Sequence, residues 1–357
     1  MSLNWNLEGI IDIITGCILL FGALVFIINS KKKNVRPLLY FGVSWLCYSL
    51  FFILEAFSYL LLNIEIAKIQ TILTVPSAIL MVVYIDYTRK ESLDVIKMSI
   101  VTGFGFIESF LIFTEDSINI QKIDGEYYTI WTGNIFLFSS FMQFLFIALL
   151  VYWMILTIKN IPKELLYIKN LLIGGIIMLG PLALLLFVFS SDIRFLVLLS
   201  DLSLMIGAII VIYVLIKEPK IFYILPFTAY NLTVIHINSG LQLFQHKWAE
   251  IETKEEALSA GMHALRNMSL NIIGLGDIMD LKVEKGVLIS YRTEHIMVGL
   301  VSSHSSKFLR RGIKNFAIEF DNIFHDEFSS NLLDESKFLE AEKLIEAHFT
   351  YLPSRLE

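Results

Sequence analysis

Long apolar runs fill the first part of the chain, and shorter patterned elements fill the rest. Seven runs are long enough to cross a hydrocarbon core as helices, which takes roughly 20 residues each. We predict these spans at about 8–29, 37–62, 67–88, 94–113, 133–158, 168–190 and 194–216. The pattern changes at Lys217-Glu218-Pro219-Lys220. The chain is therefore predicted to contain a seven-transmembrane domain (1–218), a short linker (219–229) and a soluble domain (230–357).

The soluble part alternates between strand and helix periodicity in the order β-β-α-β-β-β-α-α. A strand that begins near Leu232 turns at Ser239-Gly240 and returns through Trp248, and a capping box at Thr253 and Glu256 predicts the helix that follows. The remaining elements are three strands and two helices, predicted at 278–284, 287–292, 295–302, 305–328 and 335–351. The predicted fold class is therefore a membrane all-α seven-helix bundle, followed by a C-terminal α/β domain with a five-stranded antiparallel or mixed sheet.

Composition supports the membrane assignment. Apolar residues make up 56% of the chain and charged residues 17%, and the mean hydropathy is +0.68, whereas soluble proteins carry about 25% charged residues. Cys17 and Cys47 lie in apolar runs, so no disulfide framework is expected. Neither half is basic enough to suggest a nucleic-acid partner. The first run has no basic region before it, so we interpret it as a retained helix rather than a signal peptide.

Lysine and arginine are distributed unequally between the two sets of loops, which predicts the orientation. One side carries Lys31, Lys32, Lys33, Arg36, Arg89, Lys90, Lys97, Lys159, Lys163, Lys169, Lys217 and Lys220. The other side carries only Lys68, Lys122 and Arg194. The basic side faces the cytoplasm under this rule, so we expect a multi-pass protein of the cell membrane with its N-terminus outside and its C-terminal domain in the cytoplasm.

The outer loop at 114–132 is the longest of its side. Asp124-Gly125 lies between two β-prone runs, a pattern that predicts a hairpin. This hairpin is either a lid over a ligand site or an ordered loop without such a role.

Five polar residues in the predicted spans lie in the outer halves of those spans. They are Asp12, Glu55, Gln70, Glu108 and Asp201. A carboxylate in a membrane is costly unless it is paired, neutralised or hydrated. One hypothesis is an outward-facing cavity that binds a cationic or hydrogen-bonding small ligand or that titrates. The alternative is that these groups are protonated and form structural hydrogen bonds between helices.

Several chemistries are excluded by the residues that they require. The last span, Phe195 to Ile216, has no lysine for retinal, and no span contains a histidine for intramembrane proteolysis. The spans show no obvious inverted repeat with paired broken helices, which disfavours a transporter without excluding it. The soluble part has no phosphate-binding glycine loop, and its histidines, including His263, show no metal-ligand spacing. We therefore expect no enzyme activity, no cofactor and no metal.

The strand pair around "LTVIHINSGLQLFQHKW", together with the order of the elements, resembles a longin-type module, a relative of roadblock domains. The string "EPKIFYILPFTAYNLTVIHINSGLQLF" resembles archaeal seven-helix membrane proteins that end in such a module. The resemblance implies a non-enzymatic interaction platform. The partners that it implies are small GTPases or a second longin- or roadblock-type domain.

One helix of the soluble domain is predicted to have a basic face. Lys307, Arg310, Arg311 and Lys314 recur at helical spacing. Each basic residue near an anionic leaflet gains about 1 kcal/mol, so this face could bind membrane lipids or an acidic partner, or could simply be solvated.

These observations favour a receptor-like membrane protein that couples a sensing bundle to a longin-like interaction domain acting on small GTPases or related partners. Two alternatives stay open. In one, the helices only anchor a trafficking or scaffolding module. In the other, the chain is a transporter with a regulatory tail.

Overall fold

The computed structural model divides the chain into two compact units, Met1–Tyr223 and Ile224–Glu357. The described residues are 3–33, 35–89, 92–114, 116–123, 126–158, 161, 166–188, 195–218, 221–222, 228–248, 277–283, 286–328, 335–349 and 352.

Some sequence predictions lie outside these described residues. They concern the helix at 253–273 with its capping box Thr253 and Glu256, the turn Asp124-Gly125, and the residues Arg194, Pro219, Lys220 and His263.

The N-terminal unit is helical apart from one hairpin. The helices are α1 (Leu7–Lys33), α2 (Arg36–Leu61), α3 (Ile64–Ile72), α4 (Thr74–Arg89), α5 (Val95–Leu111), α6 (Gly133–Ile158), α7 (Leu166–Ile177), α8 (Ala183–Val188) and α9 (Phe195–Lys217). A π-helical segment, Met178–Leu182, joins α7 to α8. The hairpin consists of β1 (Ile118–Ile123) and β2 (Glu126–Trp131), which pair antiparallel.

Six helices in the described residues are long and apolar enough to cross a membrane, and α3–α4 and α7–α8 each count as one. They are Leu7–Lys32, Arg36–Leu61, Ile64–Thr88, Gly133–Ile158, Leu166–Phe187 and Phe195–Lys217. The chain is thus a membrane protein. The fourth predicted span corresponds to α5, which has 17 residues and a length of about 26 Å. It is not among the six.

The bundle has two distinct ends. At the hairpin end, the Asn4 backbone N–H donates to the Leu60 carbonyl at 3.0 Å, and its side-chain amide donates to the Tyr127 carbonyl at 2.8 Å. At the opposite end, which we call the junction end because α9 finishes there at Lys217, Lys97 of α5 forms an ion pair with Asp86 of α4 at 2.7 Å.

Two of the membrane-capable helices are interrupted. The chain turns at Leu73 between α3 and α4. The other interruption is the π segment, which contains Pro181. A proline inside a helix lacks the backbone N–H and frees a carbonyl, so neighbouring groups must compensate. Ser203 and Ser200 of α9 donate to the Met178 and Ala183 carbonyls, each at 2.8 Å.

The C-terminal unit contains a five-stranded antiparallel sheet, as the periodicity predicted. Its strands are β3 (Ala229–His236), β4 (Gln242–Lys247), β5 (Ile278–Val283), β6 (Gly286–Arg292) and β7 (Ile296–Ser302), in the order β4-β3-β7-β6-β5. The central strands β3 and β7 are almost entirely buried, which explains their nearly continuous apolar sequence.

Helices cover one face of this sheet. They are α10 (Lys307–Ile323), α11 (His325–Phe328) and α12 (Glu342–His348), and α12 follows a 3₁₀ helix at Glu335–Ala341. The core between helices and sheet includes Phe316 and Phe320. The single helices predicted at 305–328 and 335–351 are therefore interrupted, at Phe324 and near Ala341, where the backbone changes geometry.

Candidate functional site

A cavity of about 570 Å³ lies inside the bundle and reaches from the hairpin end past the middle of α2 and α6. The cavity ends before the junction end. The lining residues nearest to that end are Leu19 of α1, Trp45 of α2, Leu150 of α6 and Leu204 of α9. The volume lies within the range of about 300–1,000 Å³ that small-molecule sites occupy.

Four of the five predicted site residues line this cavity. Asp12, Glu55, Gln70 and Asp201 come from α1, α2, α3 and α9. Asp12 and Gln70 are each 3% exposed, so they are shielded from bulk solvent. The sequence grouped these residues by depth along each span, and the helix packing brings them around one space.

Glu108 differs from the other predicted residues. It is fully buried but does not line the cavity. Its Oε2 lies 3.1 Å from the hydroxyl of Thr74, which links α5 to α4. This geometry fits the structural alternative, a polar contact between helices, for Glu108.

The cavity wall carries carboxylates and aromatic rings among its aliphatic side chains. Glu8 joins Asp12, Glu55 and Asp201, and the described lining contains no Lys, Arg or His. The Tyr59 hydroxyl donates to Oε1 of Glu55 at 3.2 Å. Nine aromatic side chains also line the cavity: Trp45, Tyr48, Phe51, Phe52, Tyr59, Trp131, Phe136, Phe146 and Phe187.

The hairpin forms part of the wall through Ile123, Thr129, Ile130 and Trp131. Trp131 donates its indole N–H to the Thr71 hydroxyl at 2.9 Å. The hydroxyls of Thr129 and Ser58 lie 2.8 Å apart. The hairpin is therefore attached to α2 and α3 by specific polar contacts rather than by apolar packing alone.

The interrupted helix forms another part of the wall, through Leu179, Gly180, Ala183 and Leu184. π-helical segments often occur at functional sites, because they displace the helix face that follows. Close packing accompanies this one, since a Cβ on Gly207 of α9 would lie 2.4 Å from the Leu179 backbone nitrogen. The α7–α9 contact thus requires glycine at 207.

Aromatic side chains fill the bundle interior at the junction end. We call this set the junction cluster, and its members are Phe26, Phe41, Trp45, Tyr84, Trp153 and Phe222. Each is at most 2% exposed. Phe222 follows α9, and its carbonyl accepts a hydrogen bond from the Tyr84 hydroxyl at 2.6 Å. The residue that links cluster and cavity is Trp45, which belongs to both.

Sequence reasoning missed Glu8, the aromatic wall and the junction cluster. Glu8 carried a usable signal, because it precedes Asp12 by four residues and so shares its helix face. The aromatic residues carried none, because apolar side chains in a span look alike whether they face lipid, a cavity or a core.

In the C-terminal unit, the predicted basic face is present on α10. Lys307, Arg310, Arg311 and Lys314 are all exposed. Arg310 also pairs with Asp280 at 2.5 Å, which offsets part of the positive charge.

Three potential metal ligands also come together in this unit, although the sequence showed no ligand spacing. They are His295, Asp321 and His325, whose ligand atoms lie within 4.8 Å of one another.

Comparisons with protein-family models, with curated proteins and with solved structures find no match for this chain.

Proposed function

We propose that this chain is a receptor-like membrane protein whose cavity binds a small organic cation. The observation that carries the proposal is the lining of the cavity: four carboxylates and nine aromatic rings, with no basic residue among the described lining. An ammonium group would be attracted to a wall that carries carboxylates and, among its described residues, no basic side chain. The aromatic faces attract the same charge through cation–π interactions and would bind an apolar substituent.

Seven crossings, rather than six, agree best with the packing of α5. Its first turn is attached to the end of α4 by the Lys97–Asp86 ion pair. Beyond its last turn, Ile112 packs with Ala67, Ile118 and Ile135 at the hairpin end. A 17-residue helix can cross a bilayer, because the workable range begins at about 17 residues. Seven crossings would put the termini on opposite sides.

The orientation follows from the lysine and arginine distribution. The hairpin end, with Lys68 and Lys122, is proposed to face outside. The junction end, with Lys31, Lys32, Lys97 and Lys217 among its basic residues, is proposed to face the cytoplasm. The cavity then opens toward the outside, where a ligand would arrive.

Coupling between cavity and cytoplasm is proposed to run through α9. This helix carries Asp201 in the cavity wall, and the chain just beyond it contributes Phe222 to the junction cluster. A ligand shifts a protein between two states only by binding them unequally. A cation that prefers one position of α9 would therefore change the position of Phe222, which lies seven residues before β3 begins at Ala229.

The C-terminal unit is proposed to be a longin-like interaction module. Its five-stranded antiparallel sheet and the helices after β7 agree with the element order of the resemblance. The partners expected from it are a small GTPase or another longin- or roadblock-type domain. Arg311 and Lys314 on α10 would add attraction to an anionic lipid surface.

Two alternatives fit the geometry less well. A mere anchor would fill the hairpin-end space with side chains, as the junction cluster fills the other end. A transporter needs a polar path through the bundle, and the described interior of the junction end is aromatic instead.

The primary test is ligand binding to the full chain in lipid nanodiscs. We expect 2-phenylethylammonium to raise the thermal stability of the protein in a saturable manner, and the neutral 2-phenylethanol, of similar size, to have at least tenfold weaker effect. The cation hypothesis would be refuted if both compounds stabilised the protein equally. It would also be refuted if no amine of a wider panel stabilised the protein.

A second test concerns the partner. We expect the full chain to retain a small GTPase, loaded with a GTP analogue, from a purified panel.

The lipid role of α10 has a separate test. We expect the double variant Arg311→Glu, Lys314→Glu to bind anionic vesicles more weakly than the wild type does. Unchanged vesicle binding by this double variant would refute the lipid role of α10. A charge-preserving variant, Arg311→Lys, is the matched control.

A further inference from the structure

We propose that the C-terminal unit binds a zinc ion between His295, Asp321 and His325. The three residues come from different elements. His295 directly precedes β7, Asp321 lies in the last turn of α10, and His325 begins α11. Their ligand atoms lie within 4.8 Å of one another. This proposal does not depend on the ligand of the bundle cavity.

The backbone fixes the positions of these side chains. The carbonyl of His295 accepts from the Ile237 N–H at 2.9 Å, which holds the residue at the end of the central strand pair. Asp321 and His325 are four residues apart, close to one helical turn. The Phe328 ring stacks on the His295 ring, with centroids 5.3 Å apart. The site thus lies where β7 begins and where α10 gives way to α11.

The interactions already present bring the ligands near coordination geometry. Nδ1 of His295 lies 2.9 Å from Oδ1 of Asp321, and the rings of His295 and His325 pack edge to face at 4.9 Å. Around a tetrahedral zinc with bonds of about 2.0–2.1 Å, neighbouring ligand atoms are roughly 3.3 Å apart. His325 is exposed and can rotate toward the ion without moving the core.

The local field favours a cation. The C-terminus of a helix carries a partial negative charge, and α10 ends at Ile323, between Asp321 and His325. Glu294, Asp326 and Glu327 add acidic groups nearby in sequence, although Glu327 also pairs with Lys337.

The ligand set selects among metals. Two imidazoles and one carboxylate suit zinc and other late divalent transition metals, whereas calcium and magnesium prefer oxygen ligands. His295 and Asp321 have side chains 23% and 14% exposed, so water can reach the site and occupy the fourth position. The expected site is therefore open, like three-ligand zinc sites generally.

A matched comparison exists in the same unit. His246 lies 2.7 Å from Glu342, and His348 lies 2.6 Å from Glu319. Neither pair has a third metal ligand among the described residues. If the His295–Asp321 contact were only a histidine–carboxylate hydrogen bond, it would behave as these two pairs do.

The test is a zinc titration of the full chain in detergent, competed by a chromophoric chelator. We expect one equivalent to bind, and His325→Gln and Asp321→Asn each to weaken binding by at least about tenfold. His246→Gln should leave zinc binding unchanged. Asp201→Asn should also leave it unchanged, and this control would detect any zinc that the carboxylates of the bundle cavity bind.

His325→Gln is decisive because His325 is exposed and its loss should not impair folding. Equal zinc affinity in the wild type and in this variant would overturn the proposal, as would binding that only Asp201→Asn or His246→Gln reduces. Absence of zinc binding at micromolar concentrations would overturn it as well. Magnesium and calcium should not compete at tenfold excess, and competition by either would refute the assignment to zinc.

Discussion

The two ends of the helical bundle are built from the same helices but with opposite contents. At the hairpin end, α1, α2, α6 and α9 surround a cavity of about 570 Å³ with four carboxylates. At the junction end, α1, α2 and α6 instead contribute rings to an aromatic cluster, together with Tyr84 of α4 and Phe222 beyond α9. A single span can therefore serve two purposes, a site toward one end and a closed core toward the other.

This difference bears on function, because a uniform bundle would suit an anchor and a continuous polar interior would suit a transporter. A cavity that ends at Trp45, a member of the junction cluster, suits a binding site in which the residues at the inner end change position. Predictions that disturb one end while sparing the other test this interpretation.

The largest effect is expected from truncation in the junction cluster. Phe41 is fully buried and its ring contacts those of Phe26, Trp45, Tyr84, Trp153 and Phe222. Phe41→Ala should lower the free energy of unfolding by about 3–5 kcal/mol, measured by unfolding in mixed micelles. The control Phe136→Ala, in the cavity wall and 49% exposed, should cost far less. Equal losses would mean that the two ends are packed alike.

The next effect concerns ligand affinity. Asp201→Asn keeps the shape of the cavity wall and removes one charge, so the affinity for an organic cation should fall by about 2 kcal/mol or more, measured by calorimetry in nanodiscs. Glu108→Gln removes a carboxylate outside the cavity and is the matched control. If both variants lose affinity equally, a position in the cavity wall does not distinguish the carboxylates that bind the cation from those that do not.

A smaller effect is expected at the hairpin. Trp131→Phe removes the indole donor to Thr71 while keeping an aromatic ring. The loss of one hydrogen bond is worth about 1 kcal/mol, which should accelerate amide exchange in the hairpin several-fold. Tyr127→Phe, at an exposed position that packs near Lys122, should leave exchange unchanged. Faster exchange in both variants would indicate a loosely attached hairpin.

The smallest effect is expected in the α9 contact with the π segment. Ser203→Ala removes the donor to the Met178 carbonyl, and such bonds in membrane proteins average about 0.6 kcal/mol. We expect a loss of unfolding free energy near that value and a wild-type junction cluster, reported by tryptophan fluorescence. A loss of several kcal/mol would mean that the π segment depends on this one hydroxyl.

Particular residues show how far sequence reasoning reached. The strands around Val234, Leu288 and Val298 were predicted because β-branched and apolar residues alternate or run continuously between turn signals. The break at Phe324 was not, because the apolar spacing continues from Phe320 to Phe328 while the helix ends. Periodicity reports which face is buried, and it is insensitive to a single change of backbone geometry.

The candidate site divides in the same way. Asp12, Glu55, Gln70 and Asp201 were found because a polar group in a span is costly and therefore conspicuous. Glu108 met the same criterion but lies outside the cavity, in contact with Thr74. Depth along a helix can be counted from the sequence, whereas the direction in which the helix face points depends on its neighbours.

The sequence by itself determined that this protein enters a membrane and carries a separate domain with a five-stranded sheet, because hydropathy and periodicity act along the chain. Only the tertiary structure decided which polar residues share a cavity, which aromatic rings close it, and that His295 meets Asp321 and His325. Those facts depend on contacts between segments distant in sequence, and no local pattern encodes the rotation and offset with which such segments pack.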